Sequence, residues 1–267
     1  MMNTLELIFL GSGTSQGVPM VGCHCPVCVS ADPKDNRTNA SLLIKVNRKN
    51  ILIDCGKDFR YQAIRHDLET VDSVLLTHNH FDHIAGLDEL RVYNKKQGAP
   101  IPVYGKQEHL ENLKQFTFNY LFSPCIQKGG GISELNLVAI ETSIELEEIV
   151  FEPLKVNHGI LEIYGYKFLN CAYISDVSSI PEETMDRLYD LDLLIIDVLR
   201  FRPHSTHINL RQGLEIINRI KPKQTYFTHI CHDFSHQAVE NMLRDPSNEY
   251  FSQYAVNLSY DGLKIVM

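Results

Sequence analysis

The sequence predicts a layered α/β fold, and three observations carry that expectation. Strand-like segments come before, between and after helix-like ones along the whole length. No linker-like composition and no short repeat divides the chain. The hydrophobic fraction of 44% and charged fraction of 22% are those of an ordinary globular protein. At 267 residues the chain is long enough for one large domain or two small ones, and the unbroken patterning favours a single domain over 1–267.

The elements follow in order. Leu5 to Leu10 reads as an opening strand, ended by the glycine loop Gly11-Ser12-Gly13-Thr14. It lacks the basic n-region and small cleavage-site residues of a signal peptide. Ser41 to Val46 and Ile51 to Asp54 are apolar or alternating, with Asn47-Arg48-Lys49-Asn50 as the hairpin loop between them. Asp58 to Leu68 has helical periodicity, Val71 to Leu76 is a short buried strand, and a helix is expected from Asp82 to about Lys95. Pro102 to Tyr104 is a strand, followed by a helix near Gln107 to Phe116. Thr117 to Gly131 is aromatic-rich and ends in three glycines; it reads equally as a mobile flap or as a surface loop packed by its own aromatics. Ile149 to Val156, Ile163 to Leu169 and Ala172 to Ile174 are strands. Pro181 to Tyr189 is a helix with proline in its first turn. Leu193 to Asp197 is a buried strand, Asn209 to Ile220 a helix and Gln224 to Phe227 a strand. A helix from Ser235 to Leu243 and two late strands close the chain.

Composition excludes some functions. The formal charge is −8, from 25 Lys+Arg against 33 Asp+Glu, which weighs against a non-specific nucleic-acid binder. The longest apolar runs are interrupted, as Leu191 to Leu199 is by Asp192 and Asp197, so no membrane span is expected. Seven cysteines, an odd number with three crowded together, fit a reducing compartment. The protein is read as cytoplasmic.

Chemistry concentrates in His78-Asn79-His80-Phe81-Asp82-His83. Composition alone would place about 0.3 histidines in a window of six; this one holds three, plus an aspartate. His78 and His80 lie two apart in an extended segment leaving a buried strand, so both rings point the same way. Asp82 and His83 sit where a helix begins, placed to face a second ion. Imidazole and carboxylate donors suit zinc, manganese or iron.

His-x-His-x-Asp-His after a buried strand resembles the signature of the metallo-β-lactamase superfamily. That resemblance implies an αββα sandwich of two mixed β-sheets flanked by helices, with the metals at one edge. It extends along nearly the whole chain. Asp54 matches a recurrent structural aspartate, His158 the third ligand of the first metal, Asp176 the bridging carboxylate and His229 the last ligand of the second metal. By this carry-over His78, His80 and His158 hold one divalent metal. Asp82, His83 and His229 hold the other, and Asp176 bridges them; each metal is zinc or manganese.

Cys23-His24-Cys25-Pro26-Val27-Cys28 offers three thiols within six residues, enough to face one ion. A zinc held by four protein donors would be structural, because catalysis needs an open position. Spacing leaves the fourth donor open among His24, Cys231, His232 and His236. Gly17-Val18-Pro19, the thiol loop at 23–28 and Thr228-His229-Ile230-Cys231-His232 together resemble the phosphoribosyl cyclic phosphodiesterase branch of the superfamily. That resemblance implies His232 as the fourth ligand, a small phosphodiester substrate and a homodimer. Asp88 and Arg91, in a segment that also resembles this branch, either buttress the site or form a helix-surface pair.

His204-Ser205-Thr206-His207 completes the set. His207 lies twenty-two positions before His229, as a non-ligand histidine does in the cyclic phosphodiesterases. His204 opens a His-Ser-Thr triplet like that of the tRNA-processing endonuclease branch. Either can contact a phosphate oxygen or protonate the leaving group, and His207 is preferred. The expected reaction is metal-dependent phosphodiester hydrolysis, with Asp82, His207 and His204 as catalytic residues. The alternatives are a tRNA 3′-end endonuclease, against which the acidic balance weighs, and a thioester or β-lactam hydrolase.

Overall fold

The computed structural model describes residues 5–123 and 131–267. They form two compact units, neither of them contiguous in sequence: residues 5–10, 41–123, 131–142 and 262–267 belong to the first, and residues 11–40 and 143–261 to the second. Each unit is built on one mixed seven-stranded sheet flanked by helices, which is the architecture expected of the αββα class.

The first sheet takes the strands β1 (Glu6–Gly11), β2 (Ser41–Val46), β3 (Lys49–Ile53), β4 (Ser73–Leu75), β5 (Ile101–Gly105) and β6 (Leu135–Ala139) in that order. The last strand of the chain, β14 (Lys264–Val266), lies antiparallel outside β1, with Glu6 opposite Val266. The β2–β3 connection is tighter than the four-residue loop expected. Asn47 and Arg48 both take positive φ (51° and 65°), the backbone of a two-residue hairpin turn, and Lys49 and Asn50 already pair with β2. Ile8, Leu43, Leu52, Val74, Leu87 and Val103 are among the buried residues of this unit's core.

The expected helix from Asp82 to Lys95 is broken in three: an α-turn at Phe81–Ile84, a 3₁₀ stretch at Ala85–Leu90 and an α-helix at Arg91–Gln97. Gly86 explains the tightening. A Cβ there would lie 2.4 Å from the Gly56 carbonyl oxygen and 2.6 Å from Phe59 Cβ, so the chain is pressed against residues 55–59. The helix from Gln107 stops at Asn112 and widens into a π-turn, Leu113–Thr117, before one further turn at Asn119–Phe122. Residues 124–130 of the candidate flap lie outside the described residues.

The second sheet runs β7 (Ile144–Leu146), β8 (Ile149–His158), β9 (Leu161–Phe168), β10 (Cys171–Ile174), β11 (Leu193–Asp197), β12 (Gln224–Thr228) and β13 (Ala255–Leu258). β7 to β10 are antiparallel neighbours, and β10 to β13 are parallel. The parallel register sets Ile174 beside Ile196 and Asp197 beside Thr228, so the carboxyl ends of β10, β11 and β12 deliver Asp176, Asp197 and His229 side by side. The helix Leu210–Ile220 starts at Asn209 with a full capping box to Gln212. β6 and β7 escaped the sequence reading. Their side chains are all half-buried or exposed, and the alternation in Ile144-Glu145-Leu146 and the apolar run Leu137-Val138-Ala139 each span only three residues, too short to stand out. No helix among the described residues is long and apolar enough to cross a membrane.

Candidate active site

In the first unit β4 ends beside Thr77, and a chain of hydrogen bonds fixes the rings that follow. Thr77 donates its N–H to Asp54 Oδ1 (2.9 Å) and its hydroxyl to Asp54 Oδ2 (2.8 Å). With its own proton committed, the Thr77 oxygen accepts from His78 Nδ1 at 3.0 Å. Asp54 Oδ2 also accepts from His83 Nδ1 at 2.7 Å. Both rings are therefore anchored through Nδ1–H, leaving the lone pair on Nε2. His83 Nε2 lies 3.3 Å from Asp82 Oδ2, and the His78 ring packs 4.4 Å from His80 and 4.3 Å from His83. His109, 4% exposed, holds the Asn79 side-chain oxygen at 2.8 Å from its Nδ1.

The second unit repeats the device. His158 donates Nδ1–H to the Thr206 carbonyl (2.8 Å), which again leaves Nε2 bare, and burial holds its pKa below the ordinary histidine value. His207 donates Nδ1–H to Asp197 Oδ2 (2.8 Å), which also takes the Val177 N–H at 3.1 Å. His229 Nε2 is 3.0 Å from Asp176 Oδ1, and its Nδ1 is 3.7 Å from Asp197 Oδ1. The His207 ring stacks on His229 (centroids 4.9 Å, 11° between planes) and meets His158 edge-on at 4.9 Å. Asp54, Asp176 and His229 each take positive φ (63°, 55° and 57°), a conformation that costs a non-glycine residue about 1–3 kcal/mol. Each follows a strand end, where the left-handed turn aims its side chain.

The thiol loop closes on His232. Its Nδ1 is 3.3 Å from Cys23 Sγ, 3.4 Å from Cys25 Sγ and 3.4 Å from Cys28 Sγ. Zn–S bonds of about 2.3 Å and Zn–N of about 2.0–2.1 Å give a tetrahedral edge of about 3.5 Å, so this spacing fits a four-donor zinc. The Cys28 N–H lowers the Cys25 thiol to about 6, whereas burial raises Cys28 to about 11. Of the other candidate donors, Cys231 accepts the Asp233 N–H, and the His236 ring packs edge-on against Tyr260. The segment bearing both His229 and His232 is pinned by Ile230, whose N–H reaches the Ser12 carbonyl (2.9 Å) and whose carbonyl takes the Thr14 N–H (3.2 Å).

His204 is exposed, with its ring 5.1 Å from that of His207. Arg91 and Asp88 form a 3.5 Å pair one turn apart, with side chains 46% and 31% exposed: a helix-surface pair. Sequence reasoning missed Thr77 and Asp197. Asp197 is fully buried and holds one ring directly with a second close by, and its signal was present, since a carboxylate ending the apolar strand Leu193–Asp197 is out of place unless it is used.

Fold and donors together define a metal-binding hydrolase. The chain belongs to the metallo-β-lactamase superfamily, its residues 49–230 matching the beta-lactamase superfamily domain. A crystal structure of a diphosphatase from the PhnP family is 38% identical with a TM-score of 0.88, over 99% of this chain and 97% of that one. An octanoyltransferase of Porphyromonas gingivalis is 39% identical over 230 residues, which is 85% of this chain and 46% of that protein; the chain thus spans about half the relative's length. Zn²⁺-bound PqqB from Methylobacterium extorquens shares the fold at 18% identity, with a TM-score of 0.78 over 97% of this chain and 99% of that one.

Proposed function

We propose that this chain hydrolyses a small phosphodiester, cyclic or linear, using two divalent metals of the zinc or manganese type. His78, His80 and His158 would hold one and Asp82, His83 and His229 the other, with Asp176 shared. The observation that carries the reading is the anchoring of rings: His78, His83 and His158 each spend Nδ1–H on a protein oxygen and keep the Nε2 lone pair, the state a metal requires. The 38% identical diphosphatase supports phosphorus as the electrophile.

When bound, such a pair supplies a nucleophile near neutral pH and offsets charge on the phosphoryl oxygens. Four positive charges against Asp82 and Asp176 suit an anionic substrate. His207, absent from the ligand set, is the proton donor to the departing oxygen. Asp197 fixes its orientation by taking Nδ1–H, so the proton to be given away would be one taken up on Nε2. Cys23, Cys25, Cys28 and His232 would hold a structural zinc. A homodimer in the cytoplasm belongs to the same reading.

The test is hydrolysis of bis(p-nitrophenyl) phosphate with each metal supplied separately, beside cyclic phosphates, pre-tRNA, thioesters and β-lactams. Diester cleavage should vanish on chelation and fall by orders of magnitude in Asp82→Ala. Folded, metal-loaded protein that cleaves thioesters or β-lactams but no diester overturns the reading.

A further inference from the structure

Thr206 places two histidines in opposite tautomers. Its carbonyl can only accept, so His158 carries its proton on Nδ1. Its backbone N–H can only donate, and it donates to His204 Nδ1 at 3.3 Å, with the Thr206 hydroxyl 3.2 Å from the same nitrogen. A ring nitrogen that accepts an amide proton has none of its own. His204 is therefore neutral, with its single proton on Nε2.

The surroundings keep it so. Desolvation, His207 and Arg200 all hold the His204 pKa below the ordinary value. Arg200 also fixes the loop, donating from Nε to the Arg202 carbonyl (3.2 Å) and from its terminal nitrogen to the Pro203 carbonyl (2.9 Å). Space around Thr206 is tight as well, because a Cβ on Gly159 would lie 2.9 Å from its methyl group.

We infer that His204 is an uncharged hydrogen-bond donor to the substrate, its Nε2–H meeting a non-bridging phosphoryl oxygen beside the proton donor His207. This rests on the phosphodiesterase reading for the identity of the acceptor, but not for the tautomer. A neutral imidazole that gave up this proton would be left as imidazolate, so His204 binds and does not protonate. The two rings thus divide the work. His207 gives a proton away, and His204 keeps its own.

Three measurements test this. Long-range ¹H–¹⁵N spectra of the imidazoles at neutral pH, on metal-free and metal-loaded protein alike, should show His204 with Nδ1 unprotonated and Nε2 protonated; the reverse tautomer or a charged ring overturns the assignment. His204→Ala should raise KM for diesters on the order of ten-fold or more while kcat stays within about two-fold, equally for good and poor leaving groups. His204→Gln, which keeps an N–H donor at that reach, should recover most of the loss. A fall in kcat that grows with leaving-group basicity would make His204 the acid. If the wild type cleaves no diester at all, the functional reading fails separately, and titration of the zinc-loaded protein with inorganic phosphate decides the point: weaker binding in His204→Ala supports the donor, and equal affinity refutes it.

Discussion

Replacing Gly86 by alanine tests how tightly the metal-ligand segment is tied to its support. Ordinarily the change stabilises a helix by about 1 kcal/mol. Here the new Cβ would lie 2.4 Å from the Gly56 carbonyl oxygen, 2.6 Å from Phe59 Cβ and 3.0 Å from Cys55 Sγ. Two of these neighbours are backbone or fixed to it, so the shell must open by at least about 0.6 Å. Overpacking of this kind costs about 1–3 kcal/mol, and rigid partners put it at the upper end. The net loss is then about 2 kcal/mol, or about 4–8 °C in Tm for a protein of this size. The displacement also has a direction. Residue 86 donates its N–H to the Cys55 carbonyl (2.9 Å), and Cys55 donates to the His83 carbonyl (2.7 Å), so a wedge at 86 pulls His83 away from Asp54. Thermal melts with and without metal, together with metal stoichiometry after gel filtration, would read both effects. A Gly86→Ala protein of unchanged Tm and unchanged metal content would refute the close-approach argument.

Other predictions are more local. Cys25→Ser and His232→Ala should each lose about one equivalent of zinc that in the parent protein survives chelation of the catalytic pair; equal zinc content in all three proteins would dismiss the structural site. His207→Ala should bind metals normally yet lose on the order of 10²–10⁴ in turnover of diesters with poor leaving groups, and less with p-nitrophenolate; equal losses would make it an anchor. Burial pushes His236 down to about 4, against about 6.5 in an unfolded chain. Between those values the unfolded chain binds a proton that the native ring refuses. Metal-free protein should therefore lose stability as pH falls from about 6.5 to about 4, with little further loss from this group below. Urea midpoints across that range should fall less in His236→Phe, and parallel curves would remove the histidine from the account.

What the sequence disclosed was local. Three histidines and an aspartate in six residues, and three thiols in another six, announce themselves because their spacing is chemistry. Strand cores were legible for a similar reason, since Ser41–Val46 and Leu193–Asp197 are nearly continuous apolar runs. Residues that act through distant partners were not legible. Asp197 acts on residues 207 and 229, and Asp261 accepts the N–H and hydroxyl of both Ser12 and Thr38, up to 249 positions away. Arg37, buried against Asp35, reaches the Cys231 carbonyl next to His232 and looks like any loop arginine in the sequence. The break at Gly86 had a visible glycine, but its cause, the backbone at residues 55–59, is a tertiary one.

The pairing of β1 with β14 has a consequence for synthesis. Glu6 waits for Val266, and the whole of the second unit is made in between. At about 5–20 residues per second that interval is roughly 13–50 s, during which β1 has no outer neighbour. Its Leu7, Ile8, Phe9 and Leu10 are all buried in the finished sheet. A nascent or truncated chain without residues 264–266 would offer their backbone as an open edge to any passing strand. The strand at 264–266 therefore acts as a cover for the edge of β1, and it can do so only once residue 266 has been made.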